Sequence, residues 1–378
     1  MSISAGSPEM NYARLPEDLL AELLASTPSI TQQVTSLLVP ALERRGELRE
    51  TAERAGWIAK TRPSATGTVC AVDGGFAVER TVAVDIAMAV AVGVEGFADG
   101  TPAWDTNQYR SFHRVLVHDI DNERLARSAM IAHELSVIAD ATHDVRIYDG
   151  SHVTPIIQLN SGFSSQSTDV SGGAVEVAEE SDLLDTFEWF VNDPKIIAMP
   201  KYDSSRDIAK ALSDVVGTTI PGDDKYITSL ILEGGEYIRP RRVSGDPWRQ
   251  LHLIARAGSP AERWGAVRRL DELLDPLRHQ ELCYTYWRPT NDSPTYRIEL
   301  KPALADDETA LQLVFATLAR QITGPFVREP YPQYLADVMA KSVGLGLSAL
   351  QTASLLQLNR QHPELSEFLV HSYRTEGI

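Results

Sequence analysis

Apolar residues recur every three or four positions in several long stretches of the chain, which is the spacing of one face of an α-helix. Residues 15–56 show this spacing first, and Pro40 is expected to interrupt or kink the helix. The same spacing predicts later helices over residues 122–140, 204–216, 261–278, 306–322 and 333–358. The chain should therefore carry helical extensions at both its N-terminal and its C-terminal end.

Shorter apolar or alternating runs between these helices predict β-strands. We expect strands over residues 68–72, 82–94, 113–119, 144–149, 196–199, 226–232, 282–287 and 295–300. Residues 161–180 are rich in Ser, Gly and acidic residues with little periodicity, so we predict a loop or a lid there. Strands and helices in this order predict an α/β fold built on a mixed sheet.

The 378 residues can bury a large core, and the patterns divide them into three regions. Residues 1–60 are expected to form an N-terminal helical region, 61–340 a central domain, and 341–378 a C-terminal helical region. Residues 230–290 could form a subdomain inserted into the central domain.

The composition is that of an ordinary globular protein, with 43% hydrophobic and 23% charged residues. The most apolar run, 82–94, is too short to span a bilayer and contains Asp85. The start of the chain lacks a basic end followed by an apolar run, so no signal peptide is expected. Cys70 and Cys283 lie in apolar runs and should be reduced, which favours a cytoplasmic protein without a membrane partner.

The net charge of −17 argues against indiscriminate binding of nucleic acid, because affinity for DNA comes largely from Lys and Arg side chains. The charge is uneven, however. Residues 238–278 carry nine Arg and five acidic residues, which makes this segment the better candidate for contacting phosphate. A solvated helix face of mixed charge would give the same pattern.

Two predicted strands end in the same pair of residues, an aspartate followed by a glycine. Asp73 follows the apolar strand of CAVDGG, and Asp149 follows that of RIYDGS. Side chains at strand ends leave the core of an α/β sheet and face a crevice, where such folds build their sites. An Asp-Gly pair after a strand is also typical of a simple turn, so neither pair is specific alone.

Glu134 lies in the helix between these strands, beside the apolar residues Ile131 and Leu135. A glutamate on that face should point toward the sheet, and a buried carboxylate requires a partner or a metal. Three converging carboxylates repel one another, so a bound cation would hold them together. Ligands that are all oxygen favour Mn²⁺ or Mg²⁺ over zinc.

The order strand-Asp, two further strands, helix-Glu and strand-Asp resembles the ribonuclease-H-like fold. This resemblance implies a mixed sheet flanked by helices. It also implies that Asp73, Glu134 and Asp149 bind two metal ions that cleave a phosphodiester by the two-metal mechanism.

Six short motifs, in their order along the chain, resemble those of the NurA family of DNA-end-processing nucleases. They are AVDGG (71–75), AHEL (132–135), RIYDGS (146–151), MPKYDSSRDI (199–208), TYRIEL (295–300) and EPYPQYL (329–335). Each motif is short, and the ordered set is more specific than any one of them.

The NurA resemblance implies a homodimer with Mn²⁺-dependent 5′–3′ exonuclease and single-strand endonuclease activity. The partners it implies are DNA and a hexameric HerA-type ATPase, in DNA end resection or in phage defence. Asp73, Glu134 and Asp149 match the metal-binding acids of the family. The chain has no G-x-x-x-x-G-K-[ST] motif, so it should not itself hydrolyse ATP.

The resemblance assigns expected roles to further residues. Lys201 matches a basic residue that could contact phosphate or stabilise charge developing in the transition state. Arg297 and Glu299 lie on one face of a strand and are expected to form a structural ion pair or an interface contact. Where the family often has a histidine this chain has Met339, and Asp337 could replace it as a fourth metal ligand. The alternative for Asp337 is an exposed residue near a helix N-terminus.

Two other functions remain open on the sequence. A NurA-like scaffold that binds the ATPase ring and DNA without hydrolysis would be a non-catalytic adaptor, which the missing histidine favours. A phosphatase or nucleotidase could use the same acids on a small substrate. The absence of G-x-S-x-G weakens a Ser-His-Asp hydrolase, and His152 is the histidine expected closest to the site.

Overall fold

The computed structural model describes residues 17–99, 104, 108–243, 252–274, 282–324 and 327–370. Its described part begins with three helices, α1 (Glu17–Ala25), α2 (Thr27–Glu43) and α3 (Arg45–Arg54). The helical prediction for this region is confirmed. Pro40 lies inside α2 and does not interrupt it, since the helix continues for three further residues to Glu43.

A mixed sheet forms the centre of the described fold. Its strands are β1 (Ile58–Lys60), β2 (Val69–Arg80), β3 (Asp85–Glu95), β4 (Gln108–Leu116), β5 (Val145–Tyr148), β6 (Ile196–Ala198), β7 (Glu236–Ile238), β8 (Arg241–Arg242), β9 (Cys283–Arg288) and β10 (Tyr296–Leu300). Their order across the sheet is β1-β7-β9-β10-β6-β5-β2-β3-β4, and β8 pairs with β9. Within it, β4, β3 and β2 are antiparallel, and β5 and β6 run parallel to β2. The predicted mixed sheet is confirmed.

Helices lie on both faces of this sheet, and others pack on these helices. The helices that follow α3 are α4 (Asn122–Ala139), α5 (Thr154–Phe163), α6 (Thr168–Glu180), α7 (Leu183–Asn192), α8 (Asp207–Val216), α9 (Asp224–Ile231), α10 (Pro260–Trp264), α11 (Ala266–Leu273), α12 (Pro302–Ala305), α13 (Glu308–Ala319), α14 (Tyr331–Lys341), α15 (Val343–Gln361) and α16 (Pro363–Val370). Strand β5 is buried along its whole length because Val145 and Ile147 pack on one side and Tyr148 on the other. Such two-sided burial explains why β5 lacks the apolar–polar alternation of a half-exposed strand.

The prediction of a loop over residues 161–180 is wrong. This stretch contains the end of α5 and all of α6, whose N-cap Ser167 accepts a hydrogen bond from the backbone N–H of Val170. The small residues allow close helix packing, because a Cβ at Gly173 would lie 2.8 Å from the Leu125 side chain of α4. The same Ser and Gly content that suggested a loop therefore serves helix contacts.

The strand predicted over residues 226–232 is also wrong, because this stretch is helix α9. Asp223 caps the helix by accepting a hydrogen bond from the backbone N–H of Tyr226 at 2.7 Å. Ile227 and Ile231 are one helical turn apart and both are buried in the same core cluster. A short apolar run of this length does not distinguish a strand from a buried helix.

Two predicted helices are each divided into two. Gly265, with φ of 74°, separates α10 from α11 in the stretch predicted as one helix over 261–278. The last four residues of that prediction lie outside the described part of the chain. Ser342 separates α14 from α15 in the stretch predicted over 333–358.

The terminal helices expose many apolar side chains. Leu24 and Leu37 of α1 and α2 are 64% and 61% exposed, and Leu345 of α15 is 77% exposed. None of the helices in the described ranges combines the length and apolarity needed to cross a bilayer. These faces are surfaces that a second protein chain could cover.

Candidate metal centre

Asp73 and Asp149 lie side by side where the parallel pairing of β2 and β5 ends. The last pair of this ladder is Val72 with Tyr148, and the backbone N–H of Asp149 donates to the carbonyl of Val72 at 3.3 Å. The sequence predicted that Asp73 ends its strand, and this prediction is wrong. Strand β2 continues past Asp73 to Arg80, where it is paired with β3. The two aspartates nevertheless share the crevice that opens as β5 ends.

The glycines after Asp73 allow two helices to reach this point of β2. A Cβ at Gly74 would lie 2.5 Å from Oε1 of Glu134, on helix α4. A Cβ at Gly75 would collide with the backbone carbonyl oxygen of Ala340, on helix α14. Successive residues of a strand face opposite sides, so the two glycines admit one helix on each face.

Glu134 reaches the site from α4 and is almost fully buried, with 3% of its surface exposed. Its Oε2 accepts a hydrogen bond from the Tyr148 hydroxyl at 2.8 Å. Burial and the nearby Asp73 carboxylate raise the pKa of Glu134 well above its ordinary value. The side chain points toward the sheet, as the helical pattern predicted, and it lacks an ion-pair partner among the described residues.

Asp337 comes from α14 and completes a compact group of acids. Carboxylate oxygens of Asp73, Asp149 and Asp337 all lie within 4.8 Å of one another. Burial and the charge of Asp149 raise the pKa of Asp73 to about 8. Met339 is on the same helix but is 39% exposed. Asp337, which the sequence suggested as a replacement for the family's histidine, thus lies beside Asp73 and Asp149.

Lys201 follows β6 and places its ammonium among the acids. Its Nζ lies 2.7 Å from Oδ2 of Asp149, contacts Oδ1 of Asp337, and lies 3.4 Å from Oε2 of Glu329. Burial alone would lower the pKa of Lys201, but these acidic neighbours raise it above its ordinary value. Lys201 therefore carries a positive charge that contacts acids of the cluster directly.

Several residues of this cluster escaped the sequence analysis. Glu329 and Gln333 belong to the EPYPQYL motif, for which the sequence predicts no chemical role. Gln333 donates from Nε2 to Oδ1 of Asp149 at 3.0 Å. Lys341 contacts Oδ2 of Asp337 at 2.7 Å. The position of Gln333 could have been predicted in part from the sequence, because Gln333 and Asp337 are four residues apart and therefore share one face of a helix.

A buried ion network holds the loops that follow β5 and β6. Glu299 of β10 accepts from the Ser151 hydroxyl at 2.8 Å and from the His152 backbone N–H at 3.0 Å. Arg297 joins Glu299 at 3.2 Å to Asp203 at 3.1 Å. The expected structural pair of Arg297 and Glu299 is confirmed. His152 is buried beside this network, where its Nδ1 lies 3.7 Å from Glu299.

The donor set fits a hard divalent ion. Asp73, Glu134, Asp149 and Asp337 supply carboxylate oxygens only, which Mg²⁺ and Mn²⁺ accept as ligands. The raised pKa of Asp73 arises from burial and from a neighbouring negative charge, both of which a cation would offset.

A cavity of about 390 Å³ adjoins the acids at Lys201. Its lining includes the basic side chains of Lys225 and Arg328, and Tyr202. Tyr202 is 93% exposed, and Lys225 Nζ donates to the backbone carbonyl of Lys201 at 3.0 Å. The cavity thus combines basic side chains and an aromatic ring with the acids Asp203, Asp223 and Glu329.

The strand order and the helices on both faces define a mixed α/β fold. That fold is NurA-like: the crystal structure of the NurA nuclease from Sulfolobus solfataricus is similar with a TM-score of 0.55 and 15% identity, over 90% of this chain and 98% of that chain. A structure of NurA bound to dAMP and manganese has a TM-score of 0.49 and 13% identity, over 82% and 93% of the two chains. No protein-family model matches the chain, and the search of curated proteins finds no match. The likeness to the Sulfolobus protein concerns the fold alone.

Proposed function

We propose that the chain is a metal-dependent DNA nuclease that hydrolyses phosphodiesters. The observation that carries this proposal is the convergence of Asp73, Asp149 and Asp337, whose carboxylate oxygens lie within 4.8 Å of one another, with Glu134 buried close enough for the charge of Asp73 to raise its pKa. Mutually repelling carboxylates at such a point are stabilised by a cation. The NurA-like fold is a nuclease-type fold, which supports the same conclusion.

The acids would hold Mn²⁺ or Mg²⁺, which when bound polarises a phosphoryl oxygen and lowers the pKa of water. The chain's own groups orient the site. The Tyr148 hydroxyl fixes Glu134, and the Gln333 amide fixes Asp149. Lys201 supplies a positive charge beside the position where a phosphate would approach the acids.

The substrate path we propose runs through the cavity beside Lys201. Lys225 and Arg328 would contact backbone phosphates, and the exposed ring of Tyr202 would stack on an unpaired base. The Arg-rich segment 238–278 is a second candidate for phosphate contacts, and part of it lies outside the described residues. Single-stranded DNA suits this path because its backbone phosphates can meet Lys225 and Arg328 while its unpaired bases are free to stack on Tyr202.

We further propose that the chain acts as a homodimer with a HerA-type hexameric ATPase in the cytoplasm. Its reactions would be 5′–3′ exonuclease and single-strand endonuclease cleavage, in DNA end resection or phage defence. The support is the motif resemblance together with the exposed apolar faces of the helices in regions 1–60 and 341–378, which flank the proposed nuclease domain 61–340. Residues 230–290 would be a subdomain inserted in that domain.

A cleavage assay with purified protein tests the nuclease proposal. Linear duplex and single-stranded DNA are incubated with Mn²⁺ and with EDTA, alone and with the ATPase. We expect cleavage only with the metal, and its loss in Glu134→Gln. The matched control is Glu123→Gln on the same helix, whose side chain is 55% exposed, and it should cleave like the wild type. Absence of cleavage under every condition would contradict the proposal.

A non-catalytic adaptor is the second candidate, because Lys201 already pairs with Asp149 and Asp337. A site that does not hydrolyse DNA could keep its acids neutralised by this lysine. Asp73→Ala separates the two functions in cells that lack the wild-type chain. An adaptor keeps its cellular role after this substitution, whereas a nuclease loses it while still binding the ATPase.

A further inference from the structure

The turn between β2 and β3 joins two distant parts of the chain through the backbone of Val82. The turn itself is closed at Thr81, whose hydroxyl and backbone N–H donate to the carbonyl of Val84 at 2.7 Å and 2.9 Å. The carbonyl oxygen of Val82 lies 3.3 Å from Nε2 of His118, just after β4. The N–H of Val82 donates to the carbonyl of Phe368, in α16, at 3.3 Å. One residue of the turn thus meets both His118 and the C-terminal helix.

The ring of His118 lies between two oxygen acceptors. Its Nδ1 is 2.7 Å from Oδ1 of Asp85, and its Nε2 faces the carbonyl of Val82. The other carboxylate oxygen of Asp85 accepts from the side-chain amide of Asn122 at 2.7 Å. A neutral imidazole has one N–H and one bare nitrogen, so it can donate to only one of the two acceptors. Both contacts are hydrogen bonds only when the ring is a charged imidazolium.

The charged groups around His118 favour the same form. The hydrogen bond to Asp85 is the main cause that raises the pKa of His118 above its ordinary value, and the Val82 carbonyl adds to it. Arg80, at the end of β2, opposes this shift, but its guanidinium also lies 3.7 Å from Glu123 of α4. As the pH rises through the pKa of His118, the ring loses a proton that one of its two acceptors requires.

We propose that His118 is a pH-sensitive clasp that ties helix α16 to the turn between β2 and β3. When the ring is charged, it fixes the carbonyl of Val82 and so orients the N–H of the same residue toward Phe368. When the ring is neutral, its one N–H stays with Asp85, because a carboxylate that is 1% exposed needs its donor more than a backbone carbonyl does. Val82 is 42% exposed, so its carbonyl can turn to water and the hydrogen bond to Phe368 is lost.

The clasp concerns the C-terminal helices and does not depend on the candidate metal centre. Among the described elements α16 packs mainly on α15, so the hydrogen bond from Val82 links it to the sheet. Leu365 and Phe368 of α16 are 47% and 48% exposed, in the region 341–378 whose apolar faces we propose to be covered by another chain. Release of α16 would therefore change this surface between mildly acidic and mildly alkaline solution.

Hydrogen–deuterium exchange of the full chain, measured by mass spectrometry, tests the clasp. The exchange of residues 79–85 and 363–370 is followed from pH 5.5 to 8.5 and corrected for the intrinsic effect of pH on amide exchange. We expect the protection of both segments to fall by about threefold to tenfold as the pH rises, because one hydrogen bond is lost. The midpoint should coincide with that of the His118 imidazole signal in an NMR titration.

Two variants separate the clasp from other causes. His118→Ala should show the low protection at every pH. His362 precedes α16 and lies 3.7 Å from Glu364, so His362→Ala is the matched control and should keep the pH dependence of the wild type. Protection of α16 that does not change with pH in the wild type, or that still changes in His118→Ala, would overturn the inference. If His118→Ala does not fold, the wild type decides, since a midpoint that differs from the His118 titration would equally overturn it.

Discussion

Arg297 is the residue on which the loops around the candidate site depend. It is buried between Glu299 and Asp203, and these two acids hold the loops that carry Ser151 and Ser205. Arg297→Leu would leave two buried carboxylates without their partner. We expect a loss of about 3–5 kcal/mol in the free energy of unfolding, measured by urea titration.

The control for this prediction is an arginine in an exposed pair. Arg320 contacts Asp99 at 2.6 Å, and the Asp99 side chain is 83% exposed. Arg320→Leu should lower the free energy of unfolding far less than Arg297→Leu, because its ion pair is exposed to water. Equal losses for the two variants would show that burial of the network around Arg297 contributes nothing.

Lys301 makes the stability depend on pH above neutrality. Burial lowers the pKa of its ammonium from 10.5 to about 7, although its Nζ donates to the carbonyls of Phe190 and Asp193. Between these two values the unfolded chain binds more protons than the folded one. The contribution of Lys301 to the free energy of unfolding is therefore fully present above pH 10.5, and it is lost as the pH falls through 7.

Lys301→Met should remove this dependence. The difference in unfolding free energy between wild type and variant, measured at pH 7.5, 8.5 and 9.5, should change by up to about 1.4 kcal/mol per pH unit in favour of the wild type. Lys195→Met, at a side chain that is 49% exposed, should show no such trend. A difference that is constant with pH would contradict the assignment to Lys301.

Single residues of the candidate site were predictable where local pattern and chemistry coincide. Asp73 and Asp149 could be recognised because each follows an apolar run, and Glu134 because it lies on the apolar face of a helix. Glu329 and Gln333 could not be placed, because Gln333 meets Asp149 across 184 positions of sequence. Such a contact depends on how α14 packs on β2, which no local pattern encodes.

At the level of elements, Gly75 decides how closely α14 approaches β2. A Cβ there would collide with a backbone carbonyl, which cannot rotate away as a side chain can. Gly75→Ala should therefore lower the free energy of unfolding by about 1–3 kcal/mol and weaken Mn²⁺ binding by shifting the helix. Thermal unfolding and dialysis with Mn²⁺ measure the two effects.

Gly46 provides the matched substitution within a helix. A Cβ at this position of α3 would have nothing within 4 Å. Gly46→Ala should leave the stability unchanged or raise it by up to about 1 kcal/mol, and should leave Mn²⁺ binding unchanged. An equal effect at Gly46 and Gly75 would contradict the proposed close approach.

The elements that were predicted wrongly share one physical cause. Residues 226–232 form a short apolar run that is buried as helix α9, and its capping residue Asp223 lies just outside the run. Residues 161–180 contain small residues that permit helix contact as readily as they permit turns. In both stretches the partner surface determines the structure, whereas β5 and α4 were predicted correctly because their own patterns suffice.

For the whole molecule, the net charge of −17 predicts weak binding of DNA in the absence of a divalent ion. Fluorescence anisotropy with single-stranded DNA in EDTA should give a Kd no tighter than about 10⁻⁶ M at physiological salt. With a cleavage-resistant phosphorothioate strand, Mn²⁺ should tighten binding by about tenfold or more. Tight binding in EDTA would show that basic surfaces alone provide the affinity.

We propose that the acids gathered at the end of β5 hold the ion that makes this chain a nuclease. The most direct test of this proposal is the initial rate of single-stranded DNA cleavage in Mn²⁺ for Asp73→Asn and for Asp140→Asn, an exposed aspartate that pairs with Arg110 at 2.6 Å. We predict a loss of about 100-fold or more for Asp73→Asn, because metal-based stabilisation of several kcal/mol is removed, and a wild-type rate for Asp140→Asn. A wild-type rate in Asp73→Asn would contradict the claim.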